Sequence, residues 1–359
     1  MNMIKVLGLS LYGPQAASTR YRLMQYVPGL RRSGIDLEVK ALLGDDYIRR
    51  VFRGESFSRL NIFRFYLERA ALLFSQGRYD IAIVHVELFP FLPGFIESRL
   101  LKIPYIYDFD DAFFLKYKAE RFKRIAFLLN AKFDPIVARA AAVTAGNRYL
   151  AEYAKTWNTA TVWLPTVVDT DRYMHAPRKR DKTFTVGWIG SPSTAAYLSE
   201  LAQPLTELSR EGPVRFVVIG ATCPPIEGVD VVQIPWNEDT EVELINTFDV
   251  GVMPLFDDEW SKGKCALKLI QYMACGLPVV ASPVGANVEV VDAACGFLAG
   301  NAEAWRSFLA QLRSDAALRL SMGAVGRAKV ENQYSLHVKL PIMLNTIKHV
   351  AERSSRSCV

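Results

Sequence analysis

Lys264-Cys-Ala-Leu-Lys-Leu-Ile-Gln-Tyr-Met-Ala-Cys-Gly-Leu-Pro-Val-Val-Ala-Ser282 reads as one helix followed by one strand. At about 100° per residue, Leu267, Ile270, Met273 and Ala274 share a broad apolar face. Lys264, Lys268, Gln271 and Cys275 fall within about 40° of a single opposite line. Gly276 stops the helix, and Pro278 opens a short run that is apolar throughout. A strand of that kind belongs in a parallel sheet covered on both faces.

The same alternation runs outward along all 359 residues. Val/Ile-rich runs predict strands at 4–10, 35–41, 80–86, 105–108, 142–145 and 161–164 in the first half. In the second half they fall at 183–189, 215–219, 229–234, 250–255, 278–282 and 296–299. Helix-length segments separate them, so the fold class is α/β with doubly wound parallel sheets. The pattern restarts after His175-Ala-Pro-Arg-Lys-Arg-Asp-Lys182, a polar segment that reads as a linker. Two domains of ordinary size are therefore expected, 1–174 and 183–335, facing each other across a cleft. Ligands in such sheets bind beyond the carboxyl ends of the strands. A final helix is expected at 336–351, followed by a disordered tail at 353–359.

Half the residues are hydrophobic and 22% are charged, which excludes a disordered chain or a disulfide mini-protein. Five cysteines (223, 265, 275, 295, 358) form no CxxC pair, as expected in a reducing compartment. No apolar run approaches the roughly 20 residues that cross a bilayer. Met1–Ser10 has no basic leader or cleavage site, so it reads as a first strand, and a cytoplasmic protein is expected. Residues 1–175 hold 25 Lys and Arg against 17 Asp and Glu, and residues 176–359 hold 18 against 20. The basic half and the slightly acidic half are suited to different partners.

On one helical face Lys264 and Lys268 repel each other, and both sit where the helix dipole disfavours a cation. A bound dianion reverses both terms, because helix N–H groups and two ammonium groups then converge on it. A nucleotide diphosphate has that charge. Two solvated surface lysines have the same spacing, and spacing alone does not separate the readings. Trp188-Ile-Gly-Ser-Pro-Ser-Thr194 adds a strand, a glycine turn and a helix start, an arrangement that brings backbone N–H groups toward phosphate. It lacks both GxGxxG and GxxxxGK[ST], and an ordinary turn capped by Ser193 or Thr194 also fits it.

At these residues the chain resembles the family-4 glycosyltransferases of the GT-B fold. Gln271–Gly285 with Glu289 is similar to the family's nucleotide-binding segment, and Asp249–Leu255 to the strand and loop before it. Leu164–Tyr173 resembles the interdomain segment, Gly187–Ser191 the first donor-domain strand, and Gly13–Arg22 the loop after the first strand. The resemblance implies two Rossmann-like domains, with a last helix (about 336–352) crossing back to the first. It also implies a nucleoside diphosphate sugar as donor, a retaining reaction, and no metal ion or separate cofactor. The donor contacts it implies are Gly190, Ser191, Thr194, Lys264, Lys268, Gln271, Val284, Gly285 and Glu289.

This chain departs from the family at three points. The glutamate that holds the nucleotide ribose is Gln271, whose amide still offers an acceptor and donors. The earlier glutamate, facing the donor sugar, falls at Gly263, with Asp257, Asp258 and Glu259 just upstream. The diphosphate-binding arginine is replaced by Ser191, which leaves Lys264 and Lys268 as the candidate cations.

In the first half, Pro104-Tyr-Ile-Tyr-Asp-Phe-Asp-Asp111 ends a strand in acid. The resemblance places Asp110 where many members carry a histidine, and a carboxylate there orients an acceptor hydroxyl or stabilises positive charge on the sugar. Capping of the next helix is the plainer role, preferred for Asp108. Three acids also suit Mg²⁺, but a metal site is not the expectation. Gly13, Arg20, Arg22, Glu87 and Asp111 are acceptor-side candidates, one arginine reaching phosphate or an anionic acceptor and the other equally readable as a surface charge. His85 and Glu87 end another strand, a place from which they can line the same cleft, although a lone histidine there more often serves the structure alone. Basic and aromatic residues interleave over 46–79 and 113–132, which suits the anionic inner face of a membrane and a lipid-linked saccharide acceptor. A solvated helix face over buried aromatics fits those segments as well. No nucleic-acid signature is present. The expected activity is sugar transfer to a saccharide hydroxyl in polysaccharide or glycolipid assembly. The alternatives are a nucleotide-sugar epimerase and a non-catalytic GT-B-shaped scaffold subunit.

Overall fold

In a computed structural model, which describes residues 3–53, 55–176 and 183–357, all twelve expected strands form, each ending within two residues of its expected place. They are β1 (Ile4–Tyr12), β2 (Ile35–Leu43), β3 (Ile81–His85), β4 (Tyr105–Phe109), β5 (Ala142–Ala145), β6 (Thr161–Trp163), β7 (Phe184–Ile189), β8 (Val214–Ile219), β9 (Asp230–Ile234), β10 (Val250–Met253), β11 (Val279–Ala281) and β12 (Gly296–Leu298). They make two six-stranded parallel sheets, ordered β2-β1-β3-β4-β5-β6 and β12-β11-β10-β7-β8-β9. β3, β7 and β10 are buried on both faces, which is why they read as unbroken apolar runs, whereas the edge strand β9 is partly exposed. The strand order reverses between β1 and β3 in one sheet and between β7 and β10 in the other. Ligand crevices open at such switch points, beyond the carboxyl ends of the strands.

The chain divides into two compact units, Met1–Thr166 with Lys339–Val359, and Val167–Val338. The boundary thus falls before the expected linker, of which residues 177–182 lie outside the described residues, as does Cys358. Residues 167–175 join the second unit because their bonds lie there. Val168 bridges Ser335, Tyr173 donates to Glu241 at 2.6 Å, and Arg327 donates to the Thr170 carbonyl at 3.0 Å. The last helix also differs from expectation: it runs Leu336–Ser357, through most of the segment expected to be disordered.

The core of the second unit gathers Val186, Trp188, Leu205, Phe216, Val252, Trp305 and Leu309 between the sheet and its helices. The helix start expected after β7 is a 3-10 segment, Pro192–Leu201, followed by the α-helix Ala202–Ser209.

Candidate active site

The decisive helix starts later than its apolar pattern suggests. It spans Leu267–Ala274, and Ala266 before it takes a left-handed conformation (φ 54°) with no side-chain cap. That conformation costs a non-glycine residue about 1–2 kcal/mol. It also leaves the helix's first N–H groups without a capping side chain. Lys264 therefore lies not on the helix but in the turn after the short helix Glu259–Lys262, its N–H donating to the Ser261 carbonyl. The expected pair at helical spacing is corrected to one lysine in the first turn and one in the preceding loop.

Both lysines are half-buried and each lies over an indole, Lys264 Nζ 5.3 Å from the Trp260 ring and Lys268 Nζ 5.1 Å from the Trp188 ring. Aromatic faces hold cations without quenching their charge. Trp188 stands in the motif read from sequence; Trp260 was missed, and only its proximity to Lys264 marked it. Gly190 follows β7 and touches the lysine stem: a Cβ there would meet Lys268 Cε at 2.9 Å and the Trp188 ring at 2.4 Å. Gly190, Trp188 and Lys268 are thus brought together at the carboxyl end of β7. Ser191 and Thr194 close the adjoining turn, with Thr194 Oγ1 and N both 2.9 Å from the Ser191 carbonyl. Ser191 Oγ lies 2.8 Å from Ser193 Oγ.

Gly285 (φ 54°) packs on the Lys262 backbone, where a Cβ would stand 2.7 Å from the carbonyl oxygen. The Val284–Gly285 turn is thereby held against the lysine-bearing loop, and half-buried Glu289 follows it on the helix Asn287–Val290. Gln271 and Cys275 are buried, not on an open polar face. The Gln271 amide donates to Tyr173 Oη at 2.8 Å, Tyr173 donates to Glu241, and Trp236 Nε1 donates to the same carboxylate at 2.8 Å. Gly263 is a buried helix C-cap, and the acids before it are engaged locally: Asp258 caps Ser261 N at 2.6 Å, and Glu259 pairs with Lys262 at 2.7 Å.

In the first unit four expectations are corrected. Arg22 is neither a surface charge nor a reaching arm; it is buried, pairs with Asp108 through two nitrogens, and donates to the Leu164 carbonyl at 2.6 Å. Arg20 is buried too and folds back on the carbonyls of Pro14 (3.0 Å) and Gln15 (3.3 Å), while Gly13 packs against Asp45. Asp108 is not a helix cap but the centre of a buried cluster: Thr144 Oγ1 donates to it at 2.6 Å, and His85 Nδ1 lies 2.8 Å away. Burial alone would raise its pKa, but Arg22 and His85 hold it well below the usual carboxylate range. Glu87 is fully buried and bound by Tyr117 Oη at 2.9 Å and Lys132 Nζ at 2.8 Å, with Lys116 at 2.5 Å. It anchors the β3–β4 loop. Asp110 and Asp111 are half-buried beyond β4, and burial, with Asp111 and Asp108 nearby, raises the Asp110 pKa against the pull of His85 and Arg22.

Among the described residues no group of three or more His, Cys, Asp or Glu side chains could hold a metal ion. Nor, among them, is any helix long and apolar enough to cross a membrane. The basic–aromatic segments divide. Arg69, Lys132, Phe114 and Tyr117 are buried. Leu60, Phe63, Leu67 and Phe74 of the helix Arg59–Phe74 are exposed, and they share an arc of about 60°.

Residues 183–315 match the family model described as glycosyl transferases group 1. None of the curated proteins matches the chain. Among solved structures it is similar to a glycosyltransferase from Rickettsia africae ESF-5, at 14% identity over 98% of this chain and 99% of that one, with a TM-score of 0.68. It is similar to Anabaena HepE in complex with UDP and glucose, at 14% identity over 96% and 100%, TM-score 0.69. Sucrose-phosphate synthase from Thermosynechococcus elongatus gives 13% identity over 96% and 99%, TM-score 0.65. The chain has the GT-B fold, and residues 183–315 of its second unit match the glycosyl transferases group 1 model.

Proposed function

We propose that this protein moves a sugar from a nucleoside diphosphate sugar to a hydroxyl of a saccharide acceptor. One observation carries the reading: Lys268 rests on Trp188 and Gly190 beside an uncapped helix start, inside the segment that matches the glycosyl transferase model. As the bond from the anomeric carbon to the diphosphate breaks, negative charge grows on the departing oxygen. An ammonium and helix N–H groups already in place stabilise it without reorganising. Lys264 adds the second cation, and Gly190, Ser191 and Thr194 give the phosphates a close backbone approach. Gln271, tied to Tyr173, forms the floor on the ribose side, with Val284, Gly285 and Glu289 completing the donor contacts. Asp110 meets the acceptor hydroxyl or the positive charge developing on the sugar.

In this reading transfer retains configuration, uses neither a metal ion nor a separate cofactor, and serves polysaccharide or glycolipid assembly. The exposed stripe on the helix Arg59–Phe74, in a basic chain half, supports an acceptor carried on an anionic membrane. HepE holds UDP and glucose, so uridine diphosphate sugars come first in the test. Nucleoside diphosphate release is measured for a donor panel, with and without membrane extract. Acceptor-dependent release is expected. Gly263, where the resemblance expects a glutamate, favours a second reading as a binding subunit; tight donor binding without turnover would select it.

A further inference from the structure

We propose that His85 and Asp110 together hold one hydroxyl of the acceptor saccharide, with the His85 imidazole fixed from behind by Asp108 and Arg22. This rests on the transfer reading and adds to it a residue that reading does not use. His85 is the last residue of β3, paired in register with Asp108 of β4. Val86, immediately after it, has φ 73°, a strained conformation for a β-branched side chain. The Val86 N–H donates to the Asp108 carbonyl at 2.9 Å, so the two strand ends hold the strain in place. Strain that the surroundings over-determine in this way clusters at functional sites.

The imidazole itself is fixed on one side only. Nδ1 lies 2.8 Å from Asp108 Oδ2, whose carboxylate is in turn bound by Arg22 and by Thr144. Nε2 is buried, with the ring 2% exposed, and has no hydrogen-bond partner. A buried polar nitrogen left in that condition is destabilising until something pairs with it. It faces Asp110 Oδ1 at 3.8 Å, too far for a direct hydrogen bond. A single oxygen about 2.8 Å from each atom would bridge them, donating its proton to the carboxylate and accepting from an Nε2–H. A sugar hydroxyl has that pair of capacities. The place is right as well, since β3 borders the switch point of the first sheet, where ligands bind in doubly wound folds.

The test uses the full-length protein and a panel of methyl glycosides of glucose, galactose, mannose and N-acetylglucosamine. Binding is followed by saturation-transfer NMR, which needs no turnover. In His85→Asn the amide replaces Nδ1 and keeps Asp108 satisfied, but nothing stands where Nε2 stood. In His85→Gln the amide reaches the Nε2 position. Glycoside binding is expected to weaken about tenfold or more in His85→Asn and to hold within about threefold in His85→Gln. A merely structural histidine gives the reverse order, and that order overturns the proposal. If neither variant folds, the wild-type ring nitrogens decide. The chain has four histidines, so the His85 Nε2 resonance can be assigned, and it must move on glycoside addition. An unmoved resonance, as for a site that holds only water, overturns the proposal, as does a wild type that binds no glycoside. Glycoside binding at His85 without nucleoside diphosphate release from any donor would instead sink the transfer reading and leave this inference standing.

Discussion

Lys268 and Asp108 represent two uses of charge in this chain. Lys268 is half-buried on an indole face, so its ammonium keeps contact with solvent. Lys268→Ala is expected to weaken uridine diphosphate binding at least about tenfold by calorimetry, with little change in melting temperature. Asp108 is the opposite case. Asp108→Asn leaves Arg22 buried without its counter-ion and should destabilise by about 3–5 kcal/mol. The pH signature follows from two shifts of opposite sign. The lowered Asp108 pKa contributes stability above about pH 4, the unfolded value, which is lost as pH falls. The His85 pKa is raised, the Asp108 bond and the Asp110 charge outweighing burial, so its contribution is complete below about pH 6.5 and is lost as pH rises through the folded value. Melting temperature against pH should therefore fall on both flanks, and Asp108→Asn should flatten the acid one. Neither cluster was fully legible beforehand. Lys268 announced itself by its place opposite the apolar face of its helix. Arg22, His85 and Asp108 are far apart in sequence, and only the pairing of β3 with β4 and the fold of the β1 loop reveal them as one unit.

The strands were readable from sequence and the helix ends were not. Continuous Val/Ile runs have one physical cause, burial on both faces, and it leaves little room for error. Helix starts depend on single backbone angles. Ala266 in a left-handed conformation removed Lys264 from the helix, and no periodicity signals such a residue. The helix Arg59–Phe74 presents the converse problem: its aromatic and basic residues suited either a membrane or a core, and the structure divides them, with Arg69 inward on the Ser10 and Lys40 carbonyls and Phe74 92% exposed. Replacing Leu60, Phe63 and Leu67 together by serine should reduce binding to vesicles containing anionic lipid, measured by sedimentation, while leaving melting temperature nearly unchanged. Unchanged sedimentation would assign the stripe to another partner.

At the scale of the whole chain, the first unit is assembled from both ends of the sequence. Leu340 packs against Gly29, Lys339 Nζ lies 4.9 Å from the Trp163 ring, and Met343 and Ile347 are fully buried. Deleting residues 339–359 should lower the calorimetric transition of the first unit and leave that of the second in place. A loss confined to the second unit would contradict this division. The two-sheet plan was visible in the alternation of strands and helices. The boundary was not, because a polar linker looks like a border whichever side its neighbours join.

That arrangement bears on synthesis. The second unit is continuous in sequence, so it can mature while its own last residues clear the ribosome. The first unit, although translated earlier, lacks its closing helix for roughly 10 to 40 s more, the time needed to make the intervening residues. During that interval its surface for the missing helix is open, so a nascent chain of this protein is a client for chaperones at its beginning and not at its end.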